Sequence, residues 1–339
     1  MNLRPLGYEP NELPTAPPRE TNIVFIFQSH YKVCSICVVS LYLCKSYKMH
    51  KSGFVTILGN PNVGKSTLMN KLIGESLSII TPKAQTTRHR ILGIVNKPDY
   101  QIVFSDTPGV IKPHHELHSL MMKNVKQSLD DADLILYMVE PNMTLLKDQK
   151  ISNLLGSFKK SVILLINKID LVSQDEVKKI MDYWSKVISH AKIVPVSALK
   201  GFNINKILEE IVDVLPPSPP YFPKDTLTDK STRFFVSEII REKILERYKQ
   251  EIPYSVEVVV DEYKEKENVI VIDAVIYVER ESQKAILLGK KGSAIKSVGI
   301  AARKKIQNFL NKKVFLGLFV KVLKDWRNRK SQLKKFGYE

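Results

Sequence analysis

The stretch Gly59-Asn-Pro-Asn-Val-Gly-Lys-Ser66 decides the fold of the first half of the chain. It follows a short apolar segment, Phe54–Leu58, whose residue types favour a strand, and it precedes Thr67–Ile73, which has a helical pattern. A strand, a glycine-rich loop and a helix in this order are typical of a P-loop, a backbone cradle for nucleotide phosphates. The sequence therefore predicts a phosphate site at the start of the first helix.

Each residue type in this loop has a chemical reason. Gly59 and Gly64 let the backbone turn tightly, so that successive N–H groups and the helix N-terminus face an anion. Lys65 is expected to bring a positive charge to the outer phosphates, and Ser66 to offer a hydroxyl to Mg²⁺. The predicted phosphate-binding residues of the loop are consecutive: Gly59, Asn60, Pro61, Asn62, Val63, Gly64, Lys65, Ser66 and Thr67.

A second phosphate motif follows the predicted strand Gln101–Ser105. Asp106 is expected to hold Mg²⁺ through water, and Gly109 to supply an N–H group for the γ-phosphate and a flexible hinge. All four residues of this motif are predicted to lie at the phosphates: Asp106, Thr107, Pro108 and Gly109.

Two further motifs predict that the base is guanine. The apolar run Val162–Ile166 leads into Asn167-Lys-Ile-Asp170, where a carboxylate can accept hydrogen bonds from the ring N–H and the amino group of guanine. A later strand, Ile193–Val196, leads to Ser197 and Ala198, where a backbone N–H can meet the guanine carbonyl oxygen. The predicted guanine-binding residues are Asn167, Lys168, Asp170, Ser197 and Ala198.

The polar and basic stretch Thr81-Pro-Lys-Ala-Gln-Thr-Thr-Arg-His-Arg90, called here the switch segment, lies between the two phosphate motifs. A threonine hydroxyl at this position can complete the Mg²⁺ shell when the γ-phosphate is present. The choice lies between Thr86 and Thr87, and Thr87 is slightly favoured. The predicted metal-binding residues are Ser66, Thr87 and Asp106.

This ordered set resembles the translation-factor-related branch of P-loop GTPases over residues 53–215. The alternation of apolar strands and amphipathic helices predicts a doubly wound, mostly parallel α/β sheet with the ligand at the carboxyl ends of its strands. The resemblance implies GTP or GDP with Mg²⁺ as ligands. Val110 stands where related GTPases place a glutamine that orients water, so slow intrinsic hydrolysis is expected. Asn62 either helps to hold a potassium ion, as in related loops, or only shapes the turn.

The prolines of Leu215–Pro220 end the last helix of the first domain. The predicted bounds are a GTPase domain at 49–216, a linker at 217–231 and a second domain at 232–339. In the second domain, helices are predicted at 233–248, 282–288 and 293–310, and strands at 254–260, 269–278 and 314–323.

Positive charge is concentrated at the end of this second domain. The chain carries 52 Lys and Arg against 35 Asp and Glu, a net charge of +17. From Lys284 to Glu339 there are sixteen Lys and Arg against Asp325 and Glu339 alone, a net charge of +14. Such a local field attracts polyanions, either nucleic acid or an anionic membrane surface.

The helix, two strands, two helices and strand around Gly289-Lys-Lys-Gly292 resemble an α+β type II KH domain, whose Gly-x-x-Gly loop approaches a nucleic-acid backbone. This resemblance implies RNA contacts at Gly289, Lys290, Lys291, Gly292 and Lys296. Trp326, Arg327 and Arg329 either contact RNA or, in the case of Trp326, pack against the last strand.

Three strings are similar to those of the Era family of ribosome-assembly GTPases: Gln85–Arg90, Arg280–Lys284 and Gly289–Lys296. The family implies that the chain hydrolyses GTP, binds the 3′ region of 16S ribosomal RNA and acts in assembly of the 30S ribosomal subunit. A monomer in the cytoplasm is expected, and the resemblance extends to a peripheral contact with the inner membrane. The alternatives are an RNA-binding protein with a nearly inactive nucleotide domain and a membrane-associated regulatory GTPase.

Residues 1–48 differ from the rest of the sequence. They hold all three cysteines, Cys34, Cys37 and Cys44. A zinc site formed by these cysteines and His30 is disfavoured, because no second, properly spaced pair follows. The segment is expected to be a non-native or disordered extension, with Met49 as the natural start.

Overall fold

The first sheet is built from six strands in the part of the chain that the computed structural model describes, residues 49–142, 158 and 160–338. Their order is β2-β3-β1-β4-β5-β6, and all neighbours are parallel except β2 and β3. The strands are β1 (Lys51–Gly59), β2 (Ile91–Asn96), β3 (Tyr100–Asp106), β4 (Leu134–Val139), β5 (Ser161–Ile166) and β6 (Lys192–Pro195).

Helices cover both faces of this sheet. Alternate residues of one strand enter different cores: Ile163 and Leu165 of β5 pack with one cluster, and Val162 and Leu164 pack with the other. Because both faces are buried, these strands read as continuous apolar runs in the sequence. The predicted doubly wound α/β fold is confirmed. The described helices of this domain are α1 (Lys65–Ile73), α2 (Glu116–Asp131), α3 (Gln174–Val187) and α4 (Ile204–Val214).

The second sheet has three strands, β7 (Glu257–Glu265), β8 (Ile270–Val278) and β9 (Val314–Val322). β7 and β8 are antiparallel, whereas β8 and β9 are parallel, the order expected of the predicted type II KH fold, which is confirmed. Its core is formed by these strands and four helices. The helices of this half are α5 (Thr232–Arg247), α6 (Ile252–Ser255), α7 (Glu281–Leu288), α8 (Ser293–Leu310) and α9 (Lys330–Lys335).

The strand predicted at 254–260 begins later than expected. Tyr254 and Ser255 belong to the short helix α6, and the strand starts at Glu257. Pro253 lies in the first turn of α6, where its fixed φ fits a helix and its missing N–H costs nothing. The β-branched residues after it gave a strand signal that extended too far back.

The C-terminal segment folds back onto α2 of the first domain. Trp326 is buried and packs with Leu117 and Met121 of that helix. Its indole N–H donates to the carbonyl oxygen of Ser255 at 3.1 Å. Trp326 is therefore packed, but in a cluster with α2 and the C-terminal segment and not against the last strand as the packing alternative had it. Because the ring is fully buried, it has no free face for stacking on RNA bases.

The interpretation of residues 1–48, including the cysteines, lies outside the described residues. Among the described helices, none combines the length and the apolar character that a bilayer-spanning helix needs.

Replacing Trp326 with alanine should destabilise the protein without a direct effect on RNA. Removing a buried aromatic side chain leaves a cavity and costs about 3 kcal/mol or more of the free energy of unfolding. Urea denaturation measures this loss. The matched control is Arg329→Ala, three residues away and exposed, which should change stability little. Equal stability of both variants would contradict the packing described here.

Candidate nucleotide and nucleic-acid sites

The P-loop places glycine where no other residue fits. Gly64 has φ 104°, in the left-handed region that favours glycine. A Cβ atom at this position would lie 2.4 Å from Nδ2 of Asn167. The loop therefore closes tightly against the guanine motif before α1 begins at Lys65.

Lys65 is held at the base of the groove. Its ammonium group donates to the carbonyl oxygens of Gly59 at 3.2 Å and of Asn60 at 3.0 Å. Burial lowers the pKa of Lys65 to about 8, and the nearby Asp106 carboxylate opposes that shift. Lys65 is therefore mostly protonated at pH 7, and its charge is held by carbonyl dipoles that a phosphate can replace or share.

Three oxygen-bearing side chains meet beside Lys65. The Ser66 hydroxyl donates to Oδ2 of Asp106 at 2.7 Å and lies 2.9 Å from Oγ1 of Thr87. Thr87 Oγ1 donates to the same carboxylate oxygen at 3.4 Å. The other oxygen, Asp106 Oδ1, is buried and has no hydrogen-bond partner among the described residues.

Burial raises the pKa of Asp106, and the Ser66 hydroxyl and the Lys65 charge oppose that rise. A buried carboxylate with an unpartnered oxygen beside two hydroxyls is a set of hard oxygen donors, which fits Mg²⁺. Thr86 is not part of the set. Its hydroxyl donates to the carbonyl oxygen of Lys83 at 2.6 Å and lies 2.7 Å from the Thr81 hydroxyl.

Several predicted phosphate residues do not direct their side chains into the groove, and Val63, Thr107 and Pro108 are not among the residues that line it. The Val63 side chain is buried in the core. The Thr107 hydroxyl donates to the carbonyl oxygen of Ile57 at 2.9 Å, and Pro108 is buried. Gly109 packs against the loop so closely that a Cβ atom would lie 2.9 Å from Cα of Pro61.

Asn62 connects the P-loop to the switch segment. It has φ 65°, and its side-chain amide donates to the carbonyl oxygen of Pro82 at 3.0 Å. The turn-shaping role is thus visible in the geometry, while the potassium role stays a prediction.

Asn167 ties together three loops at the guanine end. Its amide donates to the carbonyl oxygen of Val63 at 2.7 Å, and its oxygen accepts from the backbone N–H of Ala198 at 2.9 Å. Asp170 is exposed at its carboxylate, and one oxygen accepts from the Ser197 hydroxyl at 2.6 Å. The Asp170 carboxylate is therefore oriented and reachable, as a base-reading group must be.

Glu140, Leu171 and Leu199 lie at this end and were not found from the sequence. Glu140 pairs with Lys168 at 2.6 Å, and it follows a strand without any motif that marks it. Leu171 and Leu199 are exposed by 73% and 69% and line the groove beside Asp170. Exposed leucines that line the groove together with the Asp170 carboxylate can offer apolar contact to a planar ring. Their exposure marks them, whereas no motif in the sequence does.

One cavity of about 580 Å³ is lined by residues of both the phosphate motifs and the guanine motifs. Lys65, Ser66 and Thr87 lie in its phosphate part, and Asp170 and Ala198 in its base part. The switch segment forms a wall of the same cavity, so a nucleotide bound there must touch it.

The Gly-x-x-Gly loop joins α7 to α8. Gly289 has φ 70° and ψ −179°, a conformation open to glycine alone, and a Cβ atom there would lie 2.6 Å from the Ala294 side chain. Glycine at position 289 is therefore required first by the backbone conformation and packing of the loop. The space beside Gly292, in contrast, is open. Lys290, Lys291 and Lys296 are exposed and have no ion-pair partner among the described residues.

Comparison with known proteins gives matches to both halves of the chain. The family described as 50S ribosome-binding GTPase matches residues 54–168, and the KH domain family matches residues 251–327. GTPase Era of Geotalea daltonii is 45% identical over 290 residues, which are 85% of this chain and 98% of that protein. GTPase Era of Staphylococcus haemolyticus is 45% identical over 291 residues, 85% of this chain and 97% of that protein.

The chain belongs to the Era family of GTPases. A single-residue variant of Aquifex aeolicus Era bound to GDP·AlF4⁻ superposes with a TM-score of 0.81 at 41% identity, covering 85% of this chain and 99% of that one. The same values hold for Era in complex with MgGDPNP and nucleotides 1506–1542 of 16S ribosomal RNA. These alignments span both domains, so they compare the arrangement of the Era-family domains as well as their folds. As a member, the chain is a GTP-binding enzyme that hydrolyses GTP and carries an RNA-binding KH domain.

Replacing Asp170 with asparagine should exchange the preferred base. The amide presents a donor where guanine needs an acceptor, so preference should move from GTP toward xanthosine triphosphate, whose ring offers the complementary pattern. Competition against a fluorescent guanine nucleotide measures the change. Asp175→Asn, at another exposed carboxylate, is the control and should behave as wild type. Unchanged preference in the Asp170 variant would remove this side chain from the site.

Proposed function

We propose that the chain is a GTP-driven switch that binds the 3′ region of 16S ribosomal RNA and acts in assembly of the 30S ribosomal subunit. The observation that carries this proposal is the single alignment of both domains with an Era held with MgGDPNP and 16S ribosomal RNA nucleotides. The concentration of positive charge after Lys284 agrees with a polyanionic partner. The proposed setting is a monomer in the cytoplasm.

In the first domain, GTP is bound with its base at Asp170 and its outer phosphates at Lys65. Ser66, Thr87 and Asp106 would hold Mg²⁺, Asp106 through water. Magnesium supplies charge neutralisation at the phosphates when it is bound. The P-loop orients the triphosphate through backbone N–H groups, and such positioning with electrostatic stabilisation supplies most of the catalysis of phosphoryl transfer.

Turnover of the isolated protein is slow in this proposal. Val110 packs against an apolar cluster that includes residues of α2, and its side chain has no polar atom with which to orient a water molecule. A partner, or an ion near Asn62, therefore has to complete the site. Potassium at Asn62 would be held close to the phosphates by an amide that now contacts the switch segment.

In the second domain, RNA lies across the Gly-x-x-Gly loop. Lys290, Lys291 and Lys296 attract the phosphates and release counterions. Ile286 on α7 and Ile300 on α8 are exposed by 49% and 54%, and they give apolar contact to unstacked bases beside the loop. The same lysines would attract an anionic membrane, so the peripheral membrane contact competes with RNA for one surface.

Replacing Lys290 and Lys291 with aspartate should abolish binding of an RNA from the 3′ end of 16S ribosomal RNA, while GTP affinity stays unchanged. Replacing both with alanine should weaken binding and flatten the log–log salt dependence by roughly 1.4, because each phosphate contact on a single strand contributes about 0.7. Fluorescence anisotropy over a salt series measures both effects.

The matched control is Lys334→Asp with Lys335→Asp, two adjacent exposed lysines on α9. This variant should keep most of its RNA affinity. If it loses RNA while the loop variant binds normally, the KH loop is not the binding site. Sedimentation with anionic vesicles, with RNA as competitor, tests the membrane contact: vesicle binding that RNA does not reduce would contradict a shared surface.

A further inference from the structure

The switch segment is anchored to the second domain by buried hydrogen bonds. Arg88 is 1% exposed, and its guanidinium donates to the carbonyl oxygen of Val256 at 2.7 Å and to Glu257 at 3.1 Å. It also donates to the carbonyl oxygens of Pro253 and Tyr254, both at 3.2 Å. Oxygens from α6, from Val256 after it and from the first residue of β7 thus surround one cation of the first domain, which is what a buried charge requires.

A second buried cation makes the reverse contact, from the second domain to the switch segment. Arg241, on α5, donates to the backbone carbonyl oxygen of Thr86. The same guanidinium is paired with Glu238 one turn earlier, through bonds of 2.6 and 2.7 Å, and it is also 1% exposed. Because Glu238 holds the guanidinium in place, the donor that reaches Thr86 is oriented before any nucleotide binds.

The carbonyl that Arg241 grips belongs to the peptide between Thr86 and Thr87. On one side of this planar unit is the Arg241 contact, and on the other is the Thr87 hydroxyl, 2.9 Å from Oγ of Ser66. A movement of α5 must therefore turn the peptide that presents Thr87 to the magnesium residues. Lys83 adds a second contact to the same helix, since its ammonium donates to the carbonyl oxygens of Leu245 and Tyr248.

We propose that Arg241 is a positioning residue for the magnesium site, acting from the second domain through the Thr86 carbonyl. This inference rests on the proposed role of Thr87 at magnesium. With Arg241 in place, the Thr87 hydroxyl is already held near Ser66 and Asp106. Binding of magnesium therefore costs little additional conformational entropy. Linkage makes the effect reciprocal: a nucleotide with magnesium that fixes Thr87 also favours the joint between the switch segment and α5.

The test is a double variant, Glu238→Gln with Arg241→Gln, which removes the grip without leaving a buried carboxylate unpaired. The Mg²⁺ concentration that half-saturates binding of a non-hydrolysable GTP analogue should rise roughly tenfold, the order expected for losing a hydrogen bond to a charged group. GDP affinity without magnesium should be unchanged, because Lys65 and Asp170 are intact.

A second readout needs no metal. In nucleotide-free protein, amide hydrogen exchange of peptides covering residues 81–90 should be faster in the double variant than in wild type. Lys305→Met is the control, since it breaks an ion pair with Glu242 on the same helix α5 without touching the switch segment. It should leave magnesium dependence and exchange at residues 81–90 as in wild type.

Unchanged magnesium dependence in the folded double variant would overturn the proposal, and so would equal changes in the Lys305 control. If the double variant does not fold, Arg241→Lys replaces it; a single ammonium cannot serve Glu238 and Thr86 with the same fork, so a smaller shift in the same direction is expected, and no shift overturns the proposal. Failure of the wild type to bind the analogue in a magnesium-dependent manner would contradict the proposed function instead.

Discussion

The parallel pairing of β1, β3, β4, β5 and β6 is the constraint on which the nucleotide site depends. Strands that run in one direction deliver the loops after their carboxyl ends to the same edge of the sheet. The P-loop, the motif from Asp106, the motif from Asn167 and the Ser197–Ala198 loop meet there although about 140 residues separate the first from the last. The Asn167 side chain then holds these loops together, since it forms hydrogen bonds both with the P-loop and with Ala198.

Local signals were enough to predict most of the elements of both domains. The apolar runs of β1, β3 and β5 and the helix after Ser66 could be predicted because a strand buried on both faces and a P-loop leave strong local patterns. The start of β7 could not, because Pro253 and Tyr254 lie in a short helix stabilised by the contact between the domains. Whether Trp326 is buried could not be predicted either, because its burial depends on the packing of the C-terminal segment against α2.

The contact between the two domains leaves the weakest signal in the sequence. Arg88 and Glu257 are separated by 169 residues, and nothing in either neighbourhood marks them as partners. Burial raises the pKa of Glu257, and the Arg88 and Arg241 charges oppose that rise. Tyr338 donates to Glu257 at 2.9 Å and stacks on His89 of the switch segment. A buried arginine that loses its partners costs several kcal/mol, so this network favours one arrangement of the domains strongly over its disrupted forms.

In the proposed switch, the state of the nucleotide and the binding of RNA form one equilibrium, connected through the switch segment. The most direct measurement is a linkage cycle with an RNA equivalent to nucleotides 1506–1542 of 16S ribosomal RNA. Its affinity is determined for protein saturated with GDP and with a magnesium-bound GTP analogue, and the preference for analogue over GDP is then determined with and without RNA. We expect tighter RNA binding with the analogue, by a factor of about 5 to 150, and the same factor in the nucleotide preference. Equal RNA affinity in both nucleotide states would contradict the proposed switch.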